Sequence, residues 1–218
     1  MVDAIRLHVV TSVVNNLDFI EIQNNSLKKF MKIPYTFIVF NDAKDWDDFS
    51  NFNDNTIKEK IKNLCFELDI KCIDIPNQHH KNENSPAKRC ADSMNFIKDY
   101  MIQNQSRYLL LDSDMFLIND FTDQYKNYDA ALVYQKRWKT MVYPWNGIFY
   151  FNMPYLKNQD LLDWGCPWNG DVGMNNNKWL KDSYNINNKK IHKIQHLVSC
   201  QWDRNQYPYY LGKDLLEF

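Results

Sequence analysis

Apolar residues in the first half of the chain alternate between two kinds of spacing. Short, nearly continuous apolar runs predict four strands, at 5–14, 35–40, 72–75 and 107–111. Apolar residues at helical spacing predict three intervening helices, at 17–31, 57–68 and 87–101. Ser85 and Pro86 are residue types favoured at the N-cap and first position of the third helix. The order β-α-β-α-β-α-β predicts an α/β fold with a mainly parallel central sheet and helices on both faces.

The second half of the chain is less regular. Strands are predicted at 130–134 and 148–151, and loops rich in Asn and Trp surround them. Neither a repeat nor a linker divides the 218 residues, a length typical of one domain. We therefore predict a single domain, 1–218, with a regular first half at 1–118 and a less regular second half at 119–218.

Three of the predicted strands end in polar residues: Thr11-Ser12, Asn41-Asp42 and Asp112-Ser113-Asp114. Parallel strands bring their carboxyl ends to one edge of the sheet, where α/β proteins bind ligands. We expect these three groups to converge there.

Composition excludes some classes of protein. The hydrophobic content of 44% can form a core, and the formal net charge of −1 without a basic stripe argues against nucleic-acid binding. No run approaches the roughly 20 apolar residues of a membrane span. Five cysteines without a CxxC pair argue against a disulfide framework and favour buried thiols in a reducing compartment. A cytoplasmic protein is the expectation.

The DxD pattern alone is weak evidence. With 22 aspartates, about two matches arise by chance, and two occur. Asp45-Trp46-Asp47 lies in a charged run and is interpreted as a solvated loop. Asp112-Ser113-Asp114 directly follows a buried strand, where two carboxylates repel each other and lose hydration. A metal site there is favoured over an Asx turn.

A strand-DSD-strand arrangement after a nucleotide-binding half resembles the GT-A fold of glycosyltransferases, a Rossmann-like fold. Five ordered segments carry a resemblance to small sugar transferases encoded by large DNA viruses and phages: HVVTSVVNNLDFIEIQNNSLKKFM, YTFIVFNDA, SPAKRCADSMNF, LLLDSDMFLI and YPWNGIFYFN. The resemblance implies a metal-dependent transfer of a sugar from a nucleoside diphosphate, UDP by default, to a glycan or protein hydroxyl. It also implies that 1–118 is the nucleotide-sugar-binding half and 119–218 the acceptor-binding half, and that a viral protein of this kind acts in the host cytoplasm.

The same resemblance implies the metal ligands. Asp114 would bind Mn²⁺ or Mg²⁺ directly, and Asp112 would bind the ion or the ribose. His196 is the preferred third ligand over His192, and an imidazole ligand makes Mn²⁺ the favoured ion.

Donor-binding roles are implied for a larger group: Thr11, Ser12, Val13, Asp42, Arg89, Asp92, Ser113, Asn146 and Gly147. Arg89, which is also placed with Asp171 among the catalytic residues, would approach the diphosphate or the sugar. Asp92 would orient it or meet a sugar hydroxyl; the alternative is a surface salt bridge between the two. A turn at Asn146-Gly147 would bring backbone to the sugar. Trp145 either stacks on the acceptor or fills the core. Asp171 is the candidate for taking the acceptor proton or steadying the donor sugar.

His79-His80 is interpreted as part of a mobile, solvated loop; the alternative is a loop that covers a bound donor. Two alternative functions remain beside sugar transfer. A non-catalytic sugar-binding module of a larger chain would use the same site. A DxD phosphatase normally carries its motif on the first strand and is disfavoured.

Overall fold

The computed structural model describes residues 6–137, 141–167, 171–184 and 188–194. They form an α/β fold around one seven-stranded sheet, with strand order β3-β2-β1-β4-β6-β5-β7. The strands are β1 (Leu7–Val13), β2 (Tyr35–Asn41), β3 (Lys71–Asp74), β4 (Arg107–Leu111), β5 (Ala130–Arg137), β6 (Met141–Asn152) and β7 (Ile191–Lys193). The helices are α1 (Leu17–Phe30), α2 (Ile57–Glu67), α3 (Pro86–Gln103) and α4 (Asn176–Ser183), with short 3₁₀ turns at 49–51, 78–82, 153–155 and 159–161.

The first four strands are parallel, as the sequence predicts. β1 lies between β2 and β4, and β3 extends the sheet beyond β2. Register pairs Val13 with Asn41, so β1 and β2 end level with each other. The predicted mainly parallel sheet is confirmed, with four parallel and two antiparallel strand pairs.

Helices cover both faces of this sheet. Successive strand residues point to opposite faces, so Val9 and Leu109 pack in the core under α1 and α2, while Val10 and Leu110 pack in the core under α3 and α4. The predicted start of α3 is confirmed, because the Ser85 side chain accepts from the Lys88 N–H and Pro86 follows at the first position.

The second half departs from the prediction. β6 spans twelve residues, Met141–Asn152, where the sequence predicts a turn followed by a strand at 148–151. It runs antiparallel between β4 and β5. The apolar pattern does not predict α4 or β7, because both elements are short. α4 spans about two helical turns, and β7 has three residues. Among the helices described, none has the length and apolarity needed to cross a bilayer.

Candidate functional site

The polar strand ends meet at one pocket, as expected. Side chains from the ends of β1, β2 and β4, from α3 and from β6 line a cavity of about 200 Å³. Its polar lining comprises Ser12, Asp42, Lys44, Ser50, Arg89, Ser93, Asp112, Ser113 and Asn146. Six predicted donor-binding residues are therefore together: Ser12, Asp42, Arg89, Asp112, Ser113 and Asn146.

Strand alternation decides which residues of β1 reach the pocket. Ser12 of β1 and Val14, the residue directly after β1, line it. Thr11 and Val13 are buried within the fold and do not line it, because successive side chains of a strand point to opposite faces. The expectation that Thr11 and Val13 contribute side chains to the donor pocket is therefore corrected.

The DSD segment forms a tight turn after β4. The Asp112 N–H donates to the Gly147 carbonyl of β6 at 2.7 Å, and the Met115 N–H donates back to the Asp112 carbonyl at 3.0 Å. The buried amide of Gln23, on α1, donates to the carbonyls of Asp112 and Met115 at 2.8 and 3.0 Å. The turn that carries the two carboxylates thus follows β4 directly and is fixed by hydrogen bonds from its backbone to β6 and α1.

The carboxylates themselves fit a divalent cation. Burial, followed by the neighbouring charge of Asp114, raises the pKa of Asp112. Asp114 is exposed and does not itself line the pocket, and no ion pair to Asp112 or Asp114 occurs in the described part of the chain. Hard, oxygen-only ligands of this kind suit Mg²⁺ or Mn²⁺.

Asp42 belongs to a buried polar network. Its Oδ1 accepts from Lys44 Nζ at 2.7 Å and from the Asn77 amide at 2.8 Å, and its Oδ2 accepts from the Ser93 hydroxyl at 2.6 Å. Lys44 is 1% exposed, and its ammonium also lies 2.9 Å from Nδ1 of His80. Burial lowers the pKa of Lys44, opposed by the charge and hydrogen bond of Asp42.

Arg89 is held by loops rather than by Asp92. Its guanidinium donates to Asp48 Oδ1 at 2.7 Å, to the His80 carbonyl at 2.7 Å and to the Glu83 carbonyl at 2.5 Å. It is 5% exposed. The predicted pairing with Asp92, in either form, is therefore wrong, and Asp48 is the partner that sequence reasoning missed.

Asp92 instead faces His79 and His80. Its Oδ2 lies 3.2 Å from Nε2 of His79 and 3.3 Å from Nε2 of His80, and it does not line the pocket. The interpretation of His79-His80 as a solvated loop is wrong for His80, which is 0% exposed within the 3₁₀ turn 78–82.

Asp45 and Asp47 of the second DxD match are exposed, which confirms its interpretation as a solvated loop.

On β6, Asn146 lines the pocket and its amide lies 3.8 Å from the Cys90 thiol. Gly147 does not open the backbone towards a sugar. A Cβ there would lie 2.4 Å from the indole of Trp145, so this indole fills the space over the glycine. Trp145 packs against the core cluster on the α1 and α2 face, as one of its two predicted roles requires.

Asp171 lies close enough to the pocket to act on it electrostatically. Burial raises the pKa of Cys90, on the pocket wall, to about 12, and the charges of Asp112, Asp42 and Asp171 add to this shift. The Asp171 Oδ1 accepts the N–H of Val172.

His192 contacts the rings of Tyr125 and Tyr128, away from the pocket lining, and His196 lies outside the described residues.

Sequence reasoning missed Gln23, Lys44 and Asp48. A signal for Gln23 existed, because it occupies the apolar face of α1 between Ile20 and Leu27, where a polar residue requires a partner. Lys44 and Asp48 lie in a charged run whose pattern indicates a solvated loop. Both are buried by tertiary contacts with residues 77–93.

The sequence matches no protein-family model and no curated protein. Among solved structures, the apo form of the glycosyltransferase GlyE from Streptococcus pneumoniae superimposes with a TM-score of 0.50 at 17% identity, over 88% of this chain and 46% of GlyE. TarS 1–349 from S. aureus, in complex with UDP-GlcNAc, gives 0.47 and 15% over 87% and 56%. The bifunctional glycosyltransferase WbbM gives 0.48 and 12% over 89% and 39%.

The likeness to GlyE identifies the fold as GT-A and confirms the predicted fold class. The chain spans less than two thirds of each of these three proteins. What the pocket does therefore has to be argued from its own residues.

Proposed function

We propose that this protein is a metal-dependent glycosyltransferase that moves a sugar from a nucleoside diphosphate, UDP first among the candidates, to a hydroxyl of a glycan or protein. One observation carries the proposal. Both cations that line the pocket are already neutralised, Lys44 by Asp42 and Arg89 by Asp48, each at 2.7 Å, whereas the Asp112 and Asp114 carboxylates have no such partner among the described residues.

The charge balance supports a role for metal. A diphosphate carries negative charge and gains little from cations already paired with carboxylates, and it is repelled by Asp112 and Asp114. A Mn²⁺ or Mg²⁺ ion held by these two aspartates, with His196 as the proposed third ligand, would neutralise the departing diphosphate. Gln23 and the Gly147 carbonyl keep both carboxylates in place for it.

The remaining residues divide the donor between them. Ser12, Asp42 and Ser113 offer oxygen atoms to the base and ribose, and Asn146 offers its amide to the sugar. Arg89 would lie beside the diphosphate, with its charge already offset by Asp48. Asp171 takes the acceptor proton or steadies the donor sugar, because it acts on the same pocket wall as Asp112.

Phe49 supplies a surface that the sequence did not predict. Its ring lines the pocket, is 54% exposed, and lies 4.6 Å from the Arg89 guanidinium. A half-exposed aromatic ring at the rim of a nucleotide pocket can stack on a base, which is worth about 1–3 kcal/mol. Phe49→Ala should therefore weaken nucleotide binding about tenfold, whereas Phe52→Ala should not, since Phe52 is exposed but does not line the pocket.

Calorimetric titration of UDP, GDP and CMP, with Mn²⁺ and with chelator, tests the donor site on wild type and Asp114→Ala. Asp120→Ala is the matched control, an exposed aspartate six positions away that pairs with Lys32. Binding that needs both Mn²⁺ and Asp114, and survives Asp120→Ala, supports the proposal and selects the base. A folded protein that binds none of the three nucleotides in a metal-dependent way refutes it.

Two further assays separate the alternatives. Mn²⁺-stimulated turnover of the matching nucleotide sugar distinguishes an enzyme from a sugar-binding module. Phosphate release from a generic phosphomonoester, without nucleotide-sugar turnover, would identify a phosphatase instead.

A further inference from the structure

A cluster of three ligand-type side chains lies outside the donor pocket. His79 and His80 come from the 3₁₀ turn 78–82, and Asp92 comes from the middle of α3. Their ligand atoms lie within 4.8 Å of one another, and this is the one group of three or more such residues found in the described part of the chain.

The distances within the cluster match those around a tetrahedral ion. Ligands that bind zinc at about 2.0–2.1 Å are separated by roughly 3.3–3.4 Å at the tetrahedral angle. Asp92 Oδ2 lies 3.2 Å from Nε2 of His79 and 3.3 Å from Nε2 of His80. Two edges of the ligand triangle therefore already have the required length.

The scaffold of the cluster is fixed before any ion binds. The His80 N–H donates to the Asn77 carbonyl at 3.0 Å, and the His80 carbonyl accepts from Glu83 N–H and from Arg89. Its side chain is fully buried, and Nδ1 contacts Lys44. His79 and Asp92 are about half exposed, so an ion can enter and a water molecule can complete the coordination.

We propose that His79, His80 and Asp92 form a binding site for Zn²⁺ or a similar imidazole-preferring divalent ion, separate from the carboxylate site at Asp112 and Asp114. The two-imidazole, one-carboxylate set selects this class of ion, whereas Mg²⁺ prefers oxygen ligands.

The ion would tie the 78–82 turn to α3. This turn supports two residues of the donor pocket, because His80 contacts Lys44 through its ring and Arg89 through its carbonyl. The site is therefore a structural clamp behind the pocket wall.

Zn²⁺ titration by calorimetry tests the site in the Asp114→Asn protein, from which the second carboxylate of the DSD turn is removed. We expect one equivalent of Zn²⁺ to bind. Loss of a group that merely supports a ligand costs about 10–100-fold in affinity, so adding His79→Ala or Asp92→Asn should weaken binding at least tenfold. Asp99→Asn is the matched control, an exposed aspartate two turns further along α3, and should leave the affinity unchanged.

Two results overturn the inference: no Zn²⁺ binding to the Asp114→Asn protein, or binding that His79→Ala and Asp92→Asn leave intact. Co²⁺ gives a second readout, because a tetrahedral site with imidazole ligands produces intense visible absorption, which should disappear in both variants. A rise in the melting temperature with Zn²⁺ that His79→Ala abolishes shows the clamp directly. None of these experiments contains a nucleotide, so their outcome is independent of the proposed transferase activity.

Discussion

Asp48 and Arg89 form a buried ion pair that should contribute strongly to stability. Both side chains are less than a tenth exposed, and their nitrogen and oxygen atoms lie 2.7 Å apart. Burial alone would raise the pKa of Asp48, but hydrogen bonds from Arg89 and Ser50 lower it from 3.8 to about 2. The substitution Asp48→Asn removes the charge and keeps the size of the side chain, so it leaves Arg89 buried beside a neutral group.

Two routes give the size of the effect. A pKa that is about two units lower in the folded state than in the unfolded state corresponds to about 2–3 kcal/mol of stability at neutral pH. Removing one partner of a buried pair costs about 3–5 kcal/mol, because the other charge stays buried and unpaired. We therefore expect Asp48→Asn to lower the free energy of unfolding by about 2–4 kcal/mol, and the melting temperature by roughly 5–15 °C.

The pH dependence has a defined sign. Since the folded-state pKa of Asp48 is depressed, its contribution is complete above the unfolded value of 3.8 and is lost as the pH falls towards 2. By pH 3 about 1 kcal/mol of it should be gone. The stability difference between wild type and Asp48→Asn should accordingly shrink between pH 5 and pH 3.

Urea denaturation followed by circular dichroism measures this difference, and Asp54→Asn is the matched control. Asp54 also has a pKa lowered to about 2, by Lys60 and Thr56, but its pair with Lys60 is solvent-exposed. Exposed pairs contribute little, so this variant should remain close to wild type. Equal destabilisation of the two variants, or no effect of Asp48→Asn at pH 7, would refute the argument from burial.

Two further predictions concern the turn at Asp112 and the strand beside it. Gln23→Ala removes both hydrogen bonds from the Gln23 amide, so the Met115 carbonyl loses this donor while the Asp112 carbonyl keeps the Met115 N–H, at a cost of about 1–3 kcal/mol; the proposed metal-dependent nucleotide binding should weaken about tenfold, with Glu21→Ala on the exposed face of α1 as control. Gly147→Ala should destabilise the fold by about 1–3 kcal/mol, because the new Cβ would lie 2.4 Å from the Trp145 indole. Trp145→Ala should then relieve part of that cost in the double variant, as seen in a double-mutant cycle of melting curves.

The sequence predicts the fold well where the pattern is local. Long apolar periods and parallel topology place α1, α2, α3 and the first four strands, and with them the meeting of Ser12, Asp42 and Asp112 at one pocket. These consequences follow from strand direction alone. The length of β6 did not follow, because Pro144 and Gly147 are typical turn residues. In the structure Pro144 pairs with Tyr134 of β5, and the Gly147 carbonyl accepts from the Asp112 N–H.

The partners of the buried charges were beyond local reasoning. Arg89 and Asp92 are three positions apart on one helix, which favours a pair, yet Arg89 points towards Asp48, 41 positions earlier. The 3₁₀ turns at 49–51 and 78–82 bring those partners to α3. Such turns leave no periodic signal, so the sequence indicates solvated loops where the structure has buried polar networks.

The network around Asp42 limits what this residue can contribute to nucleotide recognition. An ionised carboxylate has about four acceptor sites. Lys44 and Asn77 occupy both sites of Oδ1, and Ser93 occupies one of Oδ2. One site remains, so Asp42 can accept one N–H or O–H group and cannot bridge two ribose hydroxyls. In the proposed donor complex the second hydroxyl must therefore find its partner among the other oxygen-bearing side chains of the pocket. Ser12, near the end of β1, and Ser113, just after the neighbouring β4, are two of these.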